Sequence, residues 1–355
     1  MSFSLTGSTE IRTYDRRGFK ARLPVWADYV ARSGRSILSY HPGWLAVVEQ
    51  GLGQTPYMVE AVRGREVRGL LPLAFVKSLA FGRFLVSMPY LNYGGVTSDD
   101  EETAQLLIDR AIDLADRLDV GYLQLRSEQA IDHPRLTTNA GIKVNVTRGL
   151  PGSADALWRQ LGTKVRNQVR KGQKSDIQIV WGGEELLPEF YAVFSRNMRD
   201  LGTPVHGRGF FRAVLRQFPD SAEFCVARLE RKPVAAGLLI HGRGATEVPS
   251  ASSLREYNST CANMLMYWNL LVRAIERGQD TFNFGRSSPD SRTFKFKEQW
   301  GGQPEPARWQ FYLRYGDDSV MRHDHPRNRR AIEIWKWLPV GLTRWIGPAI
   351  VRGIP

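Results

Sequence analysis

The sequence predicts an α/β fold, of the α+β kind, built from two similar units. Three observations predict it. Strand-period and helix-period segments alternate along all 355 residues instead of segregating. The order strand, charged turn, strand occurs twice, with Arg63-Gly-Arg-Glu66 and Glu230-Arg-Lys-Pro233 as the turns and Gly-Leu-Leu at 69–71 and 237–239 in the strands that follow. Arg110-Ala-Ile and Arg273-Ala-Ile each lie on a helix-like segment leading into a strand that ends in Arg-Ser, at 126–127 and 286–287. Two units with matching element order imply a duplicated fold with a cleft between its halves.

The elements follow in order. A helix-like segment surrounds 44–50. Strands at 57–62 and 67–75 flank the first charged turn and predict a hairpin. Pro89-Tyr-Leu-Asn-Tyr-Gly-Gly95 reads as a loop. Ala104, Leu107, Ile108, Ala111, Ala115 and Leu118 share one face of a helix over 101–119. Strands are expected at 121–126 and 142–147. Gly149-Leu-Pro-Gly-Ser153 is dense in turn formers and marks a boundary, giving units 1–150 and 151–318 and a tail 319–355. The second unit reads as a helix over 154–171, a helix over 184–199, strands at 223–229, 234–241 and 245–249, a helix over 261–277, and strands at 281–284 and 309–313.

Composition bounds the function. Hydrophobic content of 42% and charged content of 24% describe a globular chain. The net charge of +13 favours anionic partners: phosphorylated or nucleotide-linked substrates, RNA, or an anionic membrane surface. Two cysteines, Cys225 and Cys261, read as inert thiols in a reducing compartment. His323 and His325 flank Asp324 without further ligands at metal spacing, so no zinc site is expected. No leader with an apolar stretch and no run long enough to span a bilayer is visible, so a cytoplasmic location is expected.

The chemistry concentrates late in the chain. Asp280-Thr-Phe-Asn-Phe-Gly-Arg286 is followed by Phe294-Lys-Phe-Lys-Glu-Gln-Trp-Gly-Gly302. Cations between aromatic walls are screened less than in bulk water. They suit a phosphate, or the oxyanion formed when an amine attacks an acyl carbonyl. The alternation predicts a strand with Lys295 and Lys297 on one side. The plainer reading is a solvated edge strand with snorkelling lysines. Arg199, in the last turn of its helix, suits either the helix dipole or a bidentate grip on an anion. Ser252, Asn258 and Asn263 suit a polar pocket or turns and caps equally. The basic run Lys164-Val-Arg-Asn-Gln-Val-Arg-Lys-Gly-Gln-Lys174 reads as a solvated face or a phosphate track. No Gly-x-Ser-x-Gly elbow, P-loop or dinucleotide fingerprint is present, which leaves metal-free group transfer with cationic stabilisation.

The chain resembles the FemA/FemB-type transferases, and among them the FemAB-related proteins associated with PEP-CTERM/exosortase and exopolysaccharide clusters. The resemblance rests on Ser39-Tyr-His-Pro-Gly-Trp44, Leu85-Val-Ser-Met-Pro-Tyr-Leu-Asn-Tyr-Gly-Gly95, the basic run, Asn197-Met-Arg-Asp-Leu-Gly-Thr-Pro204, Asn263-Met-Leu-Met-Tyr-Trp268, Phe284-Gly-Arg-Ser287 and Phe296-Lys-Glu-Gln-Trp-Gly301. It implies two tandem GNAT-like acyltransferase domains with mixed sheets flanked by helices, the cleft lined mostly by the second. It implies transfer of an acyl or aminoacyl group to an amine of a cell-envelope, peptidoglycan or exopolysaccharide precursor. By the same resemblance Lys297 stabilises the oxyanion, Arg199 contacts precursor phosphates and Tyr93 borders the acceptor site. Arg286 joins Arg199 in positioning anionic groups, and Lys295 is a reserve for Lys297.

Neither the helical-hairpin arm of tRNA-dependent relatives nor a glycine-rich acyl-CoA loop is evident. Aminoacyl-tRNA and acyl-CoA therefore both stay open as donors, with no tightly bound cofactor expected. A CoA-dependent N-acetyltransferase acting on a sugar nucleotide or small amine, and a non-enzymatic RNA- or membrane-binding module, are the alternatives. The Trp-rich basic tail either docks on the body or a second subunit, or makes a peripheral contact with the inner face of the membrane.

Overall fold

The computed structural model describes residues 8–78, 81–139, 143–315 and 327–354. The first half runs β1 (Glu10–Tyr14), α1 (Phe19–Arg32), α2 (Trp44–Leu52), β2 (Thr55–Arg63), β3 (Glu66–Ser78), β4 (Gly82–Val86), β5 (Thr97–Ser98), α3 (Glu101–Arg117), β6 (Tyr122–Leu125) and β7 (Thr137–Asn139). The second runs β8 (Val144–Gly149), α4 (Ala154–Gln160), α5 (Thr163–Gln173), β9 (Gln178–Gly182), α6 (Leu187–Leu201), α7 (Arg208–Gln217), β10 (Ala222–Leu229), β11 (Lys232–His241), β12 (Ala245–Ser253), α8 (Ala262–Glu276), β13 (Thr281–Ser287), α9 (Arg292–Glu298), β14 (Gln303–Pro306) and β15 (Trp309–Leu313). The tail adds α10 (Arg327–Trp337) and α11 (Val340–Val351).

Local chemistry explains the boundaries. Asp100 caps α3 by accepting from the Thr103 amide, Glu101 and Glu102 fill its first turn, and Arg117 sits in its last. Its buried face is the apolar stripe read from the sequence. The helix expected over 154–171 is two helices, because Leu161 and Gly162 are extended and break it. Residues 294–300 are not a strand. Ser291 accepts from the Phe294 amide and caps α9 over that segment. Residue 142 and the His323–His325 pair lie outside the described residues.

Two mixed sheets form, ordered β1-β2-β3-β4-β6-β15-β7 (β5 adding to β3) and β14-β8-β13-β12-β11-β10-β9. Apart from β5 they match strand for strand. In each, an antiparallel meander reaches a parallel pair, β4 with β6 and β12 with β13, and the strand beyond is antiparallel. The parallel pair is bridged by a helix, α3 in one and α8 in the other.

The sheets do not divide at residue 150. β8, ahead of that point, lies between β13 and β14 in the second sheet, and β15 returns from the second half to pair with β6 and β7 in the first. Each sheet is therefore completed by chain from across the expected division. The largest core cluster is shared too, joining Trp44 and Leu45 of α2 to Phe190 of α6 and Phe211 of α7.

Candidate active site

β12 and β13 pair over only three positions, Ala245 with Thr281, Thr246 with Phe282 and Glu247 with Asn283, although both strands continue beyond. Their diverging ends open a cavity of about 320 Å³. Glu247, Val248, Pro249 and Ala251 wall one side and Phe284, Gly285 and Arg286 the other; Tyr267, Thr293 and Lys297 close it from the helices, and Tyr90, Leu91 and Asn92 come from the first half. Pro249 has no N–H to leave unpaired where the ladder ends. In the first sheet the chain past β6 is tied back towards β4, the Arg126 amide donating to Ser87 Oγ (2.7 Å). Buried Arg126 donates there to the carbonyl of Leu91 (2.9 Å) and to Gln124 Oε1 (2.7 Å). Gly95 presses on the Ser127 backbone so closely that a Cβ would sit 2.2 Å from Ser127 Oγ. The lining of this cavity comes mostly from the second half of the chain.

Lys297 is buried at 4% exposure and donates to the carbonyls of Gly285 (2.9 Å) and Arg286 (3.0 Å). Those carbonyls are free to accept because the β13–β8 register shifts between Asn283 and Arg286, with Gly285 at φ +76°, a conformation glycine takes without strain. Burial, and then the charge of Arg286, pulls the Lys297 ammonium down to about 7. An ammonium has three hydrogens and a neutral amine two. With two hydrogens taken by carbonyls, only the charged form keeps one for the cavity.

Arg286 donates to Asn92 Oδ1 (3.1 Å) and lies 3.7 Å from the centre of the Trp309 ring. Arg126 lies 4.2 Å from the same ring. Burial and the neighbouring Arg126 pull Arg286 well below the usual guanidinium value. Trp309 thus ties the exchanged strand β15 to the cavity wall.

Glu247 is the carboxylate of the lining. It is 5% exposed and accepts from Ser39 Oγ at 2.6 Å. Burial pushes it up to about 7, against the lowering effect of the Ser39 bond. A carboxylate poised near neutrality in the wall of a cavity can take a proton from an amine. The sequence reading passed over it. Its one signal was an acid inside the apolar strand at 245–249, followed by a proline.

Of the residues singled out in the sequence, the cavity brings together Lys297 and Arg286. Lys295 does not join them: on a helix, positions two apart face away from each other, and Lys295 is exposed where Lys297 is buried. The expectation of both lysines on one side is corrected by the helical period. Arg199 lies outside the lining; it donates to Asp200 Oδ1 (2.7 Å) and to the carbonyl of Leu338 in the tail (2.8 Å), so its fork is held by its own chain. Tyr93 is buried, accepts from Asn145 Nδ2 (2.7 Å) and faces a neighbouring hollow with Glu128, Glu305 and Arg308. Ser252 is buried on β12 and accepts from Asn197 Nδ2 (3.1 Å). Asn258 is exposed in the turn at Arg255–Thr260, and Asn263 is half-buried in the first turn of α8.

Residues 159–298 match the acetyltransferase (GNAT) domain family. No curated protein matches the sequence significantly. Among solved structures, FemX superposes with a TM-score of 0.64 at 13% identity, covering 84% of this chain and 97% of that one. A tandem GNAT protein from the clavulanic acid biosynthesis pathway gives 0.53 at 14% identity, covering 87% and 100%. The C-terminal domain of a putative lysylphosphatidylglycerol synthetase from Agrobacterium fabrum gives 0.50 at 12% identity, covering 72% and 83%. At such identities the likeness is one of fold. Residues 159–298 resemble a GNAT domain, and the chain as a whole has a mixed α/β architecture of two GNAT-like sheets flanked by helices.

Proposed function

We propose that the protein transfers an acyl or aminoacyl group to an amine on a cell-envelope or polysaccharide precursor. The observation that carries the reading is that Lys297 and Glu247 both line one cavity at the opening between β12 and β13. The amine nitrogen attacks the acyl carbon, and the carbonyl electron pair moves onto oxygen. Lys297 donates its remaining hydrogen to that oxyanion. Glu247 takes the proton from the attacking nitrogen. Collapse reforms the carbonyl and breaks the bond to the donor, a thiol sulfur of CoA or a ribose oxygen of tRNA, which leaves with the proton that Glu247 took up. Arg286 holds an anionic group of donor or acceptor.

The family matched over 159–298 is described as acetyltransferase, which favours acyl-CoA as donor. The resemblance to FemA/FemB-type transferases, and the FemX fold match, favour aminoacyl-tRNA. On the tRNA reading, the exposed cations of α5, whose inward face is Val165, Val169 and Gly172, would track the nucleic-acid backbone. Calorimetry with acetyl-CoA, and filter binding with charged tRNA, separate the two donors. The reading itself is tested by single-turnover assays of Lys297→Met and Glu247→Gln on an amine acceptor. Wild-type rates in both variants would remove this cavity from the chemistry.

A further inference from the structure

We infer that the outer face of the C-terminal helical pair docks on an anionic lipid surface. Each tail helix has a face turned to the body and a face turned outward. The inner faces are taken: Trp335, Thr343 and Gly347 are buried, Arg344 Nε donates to Ser195 Oγ (2.7 Å), and Gln54 Nε2 donates to the carbonyl of Arg352 (2.7 Å). The outer faces have no cover. Ile334 (64% exposed) and Trp337 (85%) are three apart on α10, and Leu342 (40%) and Trp345 (79%) are three apart on α11, so each pair shares a side of its helix. Of the nine large hydrophobic side chains exposed among the described residues, five lie in these two helices, which makes the patch local and not a general property of the surface.

Charge selects the occupant. Residues 327–354 hold six arginines and lysines against one acid, Glu333; Arg344 turns inward and Lys336 pairs with Glu333, while Arg330 and Arg352 are exposed. A second copy of this face would set like charge on like charge. Anionic headgroups complement it, and tryptophan beside cations suits the depth where headgroups meet acyl chains. The helices, of 11 and 12 residues, are too short to cross a bilayer, and no helix among the described residues is long and apolar enough to do so. The pair would therefore rest on the surface. Its last turn abuts the cavity, since Tyr90, a lining residue, donates to the carbonyl of Val351 (2.9 Å).

The test is co-sedimentation of the full-length protein with vesicles of phosphatidylcholine containing phosphatidylglycerol as the minor lipid, and with phosphatidylcholine alone. Binding is expected to the mixed vesicles, falling as salt rises. Trp337→Ser with Trp345→Ser should weaken it by about tenfold per tryptophan, with an unchanged melting curve because both side chains are exposed. Arg330→Glu with Arg352→Glu should abolish the preference for the anionic vesicles. Three results overturn the inference: no binding to mixed vesicles, wild-type binding by the tryptophan variant, or a dimer in sedimentation velocity that the tryptophan variant dissolves.

Discussion

Replacing Lys297 with methionine separates catalysis from stability at one position. The variant keeps the volume and loses the charge. Removing a donor aimed at an oxyanion costs about 3 kcal/mol, a hundredfold or more in kcat. The stability term has two opposing parts. A fall from the ordinary 10.5 to about 7 corresponds to ~5 kcal/mol of preference for the neutral amine over the ammonium in the folded chain. Below about 7 both folded and unfolded chains hold the proton, so the wild type carries that cost in full. Between about 7 and 10.5 the unfolded chain binds more protons, and wild-type stability rises with pH. Methionine removes the cost but strands the carbonyls of Gly285 and Arg286, each bond to a charged donor being worth about 1.5–3 kcal/mol. The parts nearly cancel. Urea unfolding at about pH 6 should therefore place the variant within about 2 kcal/mol of wild type, with the alkaline rise gone. Near-wild-type kcat, or a loss well beyond that margin, would make Lys297 a structural residue and refute the reasoning.

Other outcomes follow from the same geometry. The kcat/KM profile should be a narrow bell near neutrality, because Glu247 must lose its proton and Lys297 keep its own, each titrating at about 7; a plateau over several pH units would exclude the pair. Glu247→Gln keeps the contact with Ser39 and should lower kcat by about a hundredfold to ten-thousandfold, while erasing the acid limb. Ser39→Ala removes the hydrogen bond that holds the carboxyl down and should move the acid limb to higher pH, read from the same profiles. A chain limited to residues 151–318 lacks β8, whose Val146 is fully buried between β13 and β14, and leaves β15 without its sheet; circular dichroism should show no cooperative melting, and a sharp transition would argue against the strand exchange.

Much of the fold was legible because side-chain periods are local. The apolar stripe of α3, the hairpin of β2 and β3 around Arg63-Gly-Arg-Glu66, and the twin element order all follow from neighbours along the chain. Weakly patterned elements were not: α7, with Phe210 and Phe211 buried, stood in a stretch that offered no expectation at all. The segment at 294–300 misled because aromatic and lysine residues alternate there, and alternation suits a strand. Ser291 as a cap, and the packing of Phe294, Phe296 and Trp300 against the core, made it a helix.

The sequence by itself determined the class of fold, the duplicated order, the excess of positive charge, and the two cations, Lys297 and Arg286, that meet in the cavity. Only the tertiary structure decided their partners. Glu247 is useful because β12 and β13 part after three pairs and because Ser39, 208 positions away, reaches its carboxylate. Arg199 lies outside the lining, its guanidinium held by Asp200 and by the Leu338 carbonyl of the tail. The physical reason is the same in each case: burial and hydrogen bonding set a side chain's charge and reach, and both depend on contacts between residues far apart in the chain.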